Sequence, residues 1–87
     1  MHELSIAVSI VDAVCEELQR RGDPRLIAVH LTMGALSGVV KESLLFAYDA
    51  ACEGTPLAGT QLVIEETPGE EFLVTALEIE DERDAAD

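Results

Sequence analysis

From Leu4 onward apolar residues recur at alternating intervals of four and three, at Leu4, Val8, Val11, Cys15 and Leu18. This spacing lays side chains along one stripe of an α-helix. The opposite face carries Ser5, Ser9, Asp12, Glu16 and Gln19. Arg20 and Arg21 sit where the last carbonyls of such a helix leave partial negative charge, and Gly22 suits the left-handed residue that closes it. Asp23 and Pro24 then make a turn. Residues 25–33 alternate instead, with Ile27, Val29, Leu31 and Met33 on one side and Leu26, Ala28, His30 and Thr32 on the other, which is the period of a strand.

Residues 34–38 break that alternation, and Ser37 is placed to cap a second helix with the stripe Val40, Leu44, Ala47, Tyr48 and Ala51. Gly54 and Pro56 stop it. Residues 61–66 and 72–80 read as two more strands, joined by Thr67, Pro68, Gly69 and Glu70, a link short enough to predict an antiparallel hairpin. The strands following the two helices are expected to pair in parallel, because a helix crosses between them. The order helix-strand-helix-strand-strand predicts an α+β fold, a two-layer sandwich with two amphipathic helices on one face of a small three-stranded mixed sheet. Residues 1–80 are expected to form one domain, and the charged residues 81–87 an acidic solvated tail. The inward side of the last strand stays open, since Leu73, Leu77 and Ile79 compete with Phe72, Val74 and Ala76. An apolar residue left on the bare face favours a partner or a homodimer.

Composition narrows the function classes. The 87 residues are 48% hydrophobic, too apolar for a disordered acidic chain. Five basic residues against eighteen acidic ones leave a net charge of −13, the wrong sign for neutralising phosphates. Nucleic acid and anionic membrane surfaces are therefore poor partners, and neither is expected. The longest uncharged run, residues 26–40, is fifteen residues, short of the roughly 20 apolar residues of a membrane span. No signal-peptide pattern opens the chain, and Cys15 and Cys52 form neither a CxxC pair nor a disulfide framework. A soluble, cytoplasmic protein is expected.

No phosphate loop, nucleophile elbow or metal-binding helix motif is present. The carboxylates Glu65, Glu66, Glu70, Glu71, Glu78 and Glu80 crowd one region, but such a run is usually a solvated edge. Cys15 and Cys52 read as small hydrophobes, and His30 as a hydrogen-bonded strand residue. What remains is the start, Met1-His2-Glu3-Leu4. Methionine before a bulky residue is generally not trimmed, so Met1 is expected to keep its amine. That amine, the His2 amide nitrogen once deprotonated and the His2 imidazole close two fused chelate rings, with the Glu3 amide nitrogen next along the chain. Nitrogen donors in a plane suit Ni(II) or Cu(II), whereas zinc prefers a tetrahedron and magnesium prefers oxygen. Binding should weaken as the pH falls toward about 6, because the donors must lose protons. In an arbitrary chain a histidine at this position is most often just a frayed terminal residue.

Several separated blocks carry a resemblance. Met1 to Ile6, then Ser9-Ile10-Val11-Asp12, Gly34-Ala35-Leu36-Ser37-Gly38-Val39, Phe46-Ala47-Tyr48-Asp49 and Gly54-Thr55-Pro56-Leu57 resemble, in order and spacing, the HypA/HybF family of hydrogenase nickel-incorporation proteins. The resemblance implies a metallochaperone and not an enzyme. It implies nickel(II) held at Met1, His2 and Glu3, a HypB-like GTPase as partner, and delivery to the large subunit of [NiFe] hydrogenase. Family members carry a zinc module with two CxxC pairs between the last two strands, where this sequence has only Pro68-Gly69. The resemblance is thus to the nickel-binding domain without its zinc module, and no structural zinc is expected. Short hinges at that junction leave room for a homodimer by strand exchange.

Two other functions stand beside the nickel carrier. A metal-free adaptor would keep only a docking surface, with Glu42 and the helix faces as contact groups. A small enzyme using paired carboxylates has only the abundance of Glu in its favour, and this architecture offers little concavity for shifting a pKa.

Overall fold

The structure, a computed structural model, describes residues 2–80. The proposed tail, residues 81–87, lies outside the described residues, as does Met1. Helix α1 spans His2–Arg20, strand β1 Leu26–Gly34, helix α2 Lys41–Cys52, strand β2 Gln61–Thr67 and strand β3 Phe72–Ile79. Both helices pack on one face of a three-stranded mixed sheet, as the order of elements predicts.

Helix α1 closes as its last residues foretell. Gly22 takes φ +84°, its N–H bonds to the carbonyl of Gln19, and the N–H of Asp23 bonds to the carbonyl of Leu18. These paired bonds form the Schellman motif, which satisfies carbonyls a helix end leaves over. The buried stripe differs from the expected one. Glu3, Ala7, Ile10, Val11, Val14 and Leu18 face the core, whereas Leu4 is 52% and Val8 42% exposed. Apolar residues occupy more than half the circumference of α1, so spacing alone allows two stripes. Contact with the sheet and α2 selects the one that starts on Glu3.

The expected β2–β3 hairpin does not form. The sheet order is β2-β1-β3: β2 runs parallel to β1 on one side, and β3 runs antiparallel to it on the other. Strand β1 is the most buried of the three and has two partners because it lies in the middle. Residues 68–71 therefore cross over the end of β1, bridging two strand spacings, about 10 Å. Three backbone hydrogen bonds hold the crossing: Gly34 N–H donates to the Glu71 carbonyl at 2.6 Å, Ala35 to Thr67 at 2.7 Å and Leu36 to Gly69 at 2.8 Å.

Two β-bulges settle which faces look inward. Between Leu26 and Ala28 an extra residue, Ile27, bulges from β1, and Thr75 is the extra residue where His30 and Leu31 face Ala76 and Val74. Each bulge reverses the alternation beyond it. On β3, Phe72 and Val74 before the bulge and Leu77 and Ile79 after it therefore share the helix-facing side. Each competing set in that strand is right at two of its three positions, and Leu73 is left outside at 50% exposure.

The core joins Val11, Val14 and Leu18 of α1 to Val29, Leu31 and Met33 of β1, with Leu44 and Tyr48 of α2. Leu57, in the loop after α2, is fully buried. Thr60 Oγ1 donates to its carbonyl and lies 2.7 Å from the Tyr48 hydroxyl.

Candidate metal centre

β1 ends at Gly34, and the loop that follows leads directly into α2, whose first turn lies beside the first turn of α1. Two helix N-termini thus meet at one end of the sheet. Their unpaired N–H groups and aligned dipoles make this end favourable for negative charge. Glu3 supplies it. Its side chain is the buried charged group among the described residues, at 8% exposure, and its Oε2 accepts the backbone N–H of Val40 at 3.2 Å.

Val40 is the N-cap of α2 and provides no side-chain cap of its own. The expected cap, Ser37, instead accepts the N–H of Val39 at 3.3 Å in a tight local turn. Glu3 therefore performs from 37 residues away the task that a glutamate three residues into a helix performs in a capping box. The Val40 N–H holds the Glu3 carboxyl below its ordinary value of 4.5; burial opposes this, and its own backbone N–H and the neighbouring His2 reinforce it.

His2 opens α1 with its side chain 63% exposed. Its Nε2 lies 3.6 Å from Glu3 Oε2, the same oxygen that receives Val40. That distance is electrostatic contact and longer than a hydrogen bond. With Nε2 turned to the carboxylate, Nδ1 is the ring nitrogen left for a ligand, and Nδ1 is the one that closes a six-membered chelate ring with the His2 amide nitrogen. The amides of His2 and Glu3 belong to the first turn, outside the i→i−4 ladder, so their loss of a proton breaks no helical bond and costs only the contact of the Glu3 N–H with its own carboxylate.

The other candidate residues are scattered. His30 lies on the sheet's outer face with Nε2 3.2 Å from Glu78 Oε1, the hydrogen-bonded role expected of it. Cys52 is buried and Cys15 half-buried; burial raises both thiols above their ordinary value, with the charge of Asp12 adding to the effect at Cys15. Glu42 is exposed in the first turn of α2. Among the described residues no three His, Cys, Asp or Glu side chains converge on a point that could hold a metal. What sequence reasoning missed was the Glu3 side chain. Its signal was the spacing Glu3, Ala7, Ile10, Val14 and Leu18, which places a charged residue on a core stripe.

Comparison with known proteins decides the kinship. The family model described as hydrogenase/urease nickel incorporation, metallochaperone, hypA, matches residues 1–73. The chain belongs to this family. The hydrogenase maturation factor HypA of Chloroflexus aurantiacus is 53% identical over 68 residues, covering 78% of this chain and 60% of the relative. That of Chlorobaculum parvum is 50% identical over 66 residues, covering 76% of this chain and 58% of its own. This HypA-family chain thus matches only about three-fifths of the length of these relatives. The fold is shared with the solution structure of the Ni metallochaperone HypA from Helicobacter pylori, at a TM-score of 0.64 and 17% identity, over 88% of this chain and 96% of that one. Among the described residues no helix is long and apolar enough to cross a membrane.

Proposed function

We propose that this HypA-family chain is a nickel carrier for the maturation of [NiFe] hydrogenase, acting in the cytoplasm, and that Ni(II) is its cargo. The donors are the amine of Met1, the amide nitrogen and Nδ1 of His2, and the amide nitrogen of Glu3. His2 carries the proposal: an exposed imidazole at the first position of a helix, beside amides that the helical ladder does not use. The carrier works by ligand exchange and transforms no substrate. Residues 1–80 form its body. Pro68-Gly69 stands where the family's zinc module would be inserted, and the two cysteines of the chain lie elsewhere, so no structural zinc is required.

By family resemblance the partners are a HypB-like GTPase and the hydrogenase large subunit. The exposed Phe46, at 79%, and the neighbouring Glu42 on α2 also suit the adaptor alternative, in which docking survives without metal. Nickel titration distinguishes the two functions. Protein beginning at the native Met1 should bind one equivalent of Ni(II), and protein carrying an N-terminal extension should not. Equal binding by both would remove the amine from the site.

A further inference from the structure

We infer that the Glu3 carboxylate is a positioning residue for the nickel chelate and not one of its donors; this rests on the nickel-carrier reading and assigns the side chain a task distinct from that of the Glu3 backbone. The geometry is a three-way junction on one oxygen. Glu3 Oε2 receives the N–H of Val40 at 3.2 Å and stands 3.6 Å from Nε2 of His2. The first contact fixes the carboxylate against the start of α2. The second turns the imidazole.

Three consequences follow from chemistry. A histidine that binds a metal through one nitrogen usually gives its other N–H to a carboxylate or carbonyl, which sets the tautomer and the ring plane. Here the carboxylate lies 3.6 Å from Nε2, where its charge favours the proton on that nitrogen even without a formed hydrogen bond and leaves the lone pair on Nδ1, the atom that can form a ring with the amide. The carboxylate is itself immobile, because it is buried and capped onto a different helix. A chelate at the tip of a chain would otherwise swing freely, and ordering it would cost affinity. Finally, Glu3 Oε2 accepts Val40 and faces Nε2, the ring nitrogen on the side away from the proposed chelate. A nitrogen-only set in a plane is also the set that favours Ni(II) over zinc.

The junction also ties the cargo to α2. Lys41, the first residue of that helix, bonds through Nζ to Glu66 Oε2 at 3.0 Å, linking the start of α2 to the end of β2. Metal binding at His2 thus reaches α2 through Glu3 and Val40.

The test uses the full chain with its native Met1, in three forms: wild type, Glu3→Ala and Glu3→Gln. Ni(II) binding is followed by the visible d–d absorption of the ion, and the Val40 amide by hydrogen exchange. Wild type should show a planar nitrogen spectrum, with slower exchange at Val40 once nickel is bound. Glu3→Ala should keep the same spectrum but lose roughly ten-fold in affinity, the usual cost of removing an outer-shell partner, and nickel should no longer slow exchange at Val40. Glu3→Gln keeps an oxygen acceptor of the same length, so it should recover at least half of the lost affinity and the Val40 response. A changed spectrum in Glu3→Ala or Glu3→Gln would make the carboxylate a donor and overturn the inference. So would unchanged affinity in Glu3→Ala, which would leave only a helix cap. If wild type itself fails to bind nickel, the carrier reading falls first and the inference falls with it.

Discussion

Gly34 lies directly beneath the carbonyl of Gly69, where a β-carbon added to Gly34 would stand 2.1 Å from that oxygen. This is the crossing point of residues 68–71 over the end of β1, and three backbone hydrogen bonds hold it. Backbone on both sides leaves nothing flexible to give way. Gly34→Ala should therefore lower the stability of the fold by at least about 1–3 kcal/mol, the range for overpacking a filled site. Urea unfolding monitored by circular dichroism reads the loss, and a midpoint equal to wild type would show that the crossing loop is elsewhere.

The bulge at Thr75 gives β3 two opposite outcomes for one kind of substitution. Leu73 lies before the bulge and outward, at 50% exposure, whereas Leu77 lies after it and packs on the core. Without the bulge they would share a face. Leu73→Glu should fall within about 0.5 kcal/mol of wild type, whereas Leu77→Glu places an unpaired charge against the helices and should unfold much of the population. Equal tolerance of both would contradict the reversed alternation.

Much of this was open to inspection in the chain. The element order, the closing Gly22 and the parallel crossover through α2 all follow from local rules that tertiary contacts did not disturb. What escaped were choices between near-equal local alternatives. Helix α1 presents both Leu4-Val8 and Ala7-Ile10 to any partner, and only packing selects between them. A bulge is a single extra residue, and Thr75 bears no chemical mark of being one. The hairpin failed because a four-residue link is as able to cross a strand end as to turn back, once a glycine lies beneath it. At the candidate site, the exposed place of His2 was legible because it follows from standing next to the chain terminus. The carboxylate of Glu3 was not, because its partner Val40 is 37 residues away and offers only backbone.

Glu17 supplies a pH signature. Arg21 Nε donates to it at 2.6 Å and Arg20 also pairs with it, and these bonds hold its carboxyl below the ordinary 4.5. The folded state therefore binds its proton less readily than the unfolded state. Its contribution is complete above about pH 4.5 and is lost as the pH falls through the lowered folded value. Thermal unfolding of wild type and Glu17→Gln should differ at pH 6 and converge in strong acid. A difference that grows with acidity would reverse the sign and contradict the pairing.

The thiols should be quiet in the native state. Burial is the first cause of the raised values of both Cys15 and Cys52, so neither is appreciably a thiolate near neutral pH. Cys15, half-buried, should react with iodoacetamide slowly, and Cys52, at 3% exposure, more slowly still. Both should be labelled rapidly in urea. Mass spectrometry of timed samples gives the order, and faster labelling of Cys52 would place it outside the core.

The central claim concerns His2, and one comparison reaches it. Ni(II) titration by visible and circular dichroism spectroscopy at pH 7.5 would use wild type and His2→Ala, each starting at the native methionine. The wild type is predicted to develop the spectrum of a planar nitrogen complex at one equivalent, and His2→Ala is predicted to show none while remaining folded. The same spectrum and affinity in His2→Ala would contradict the account.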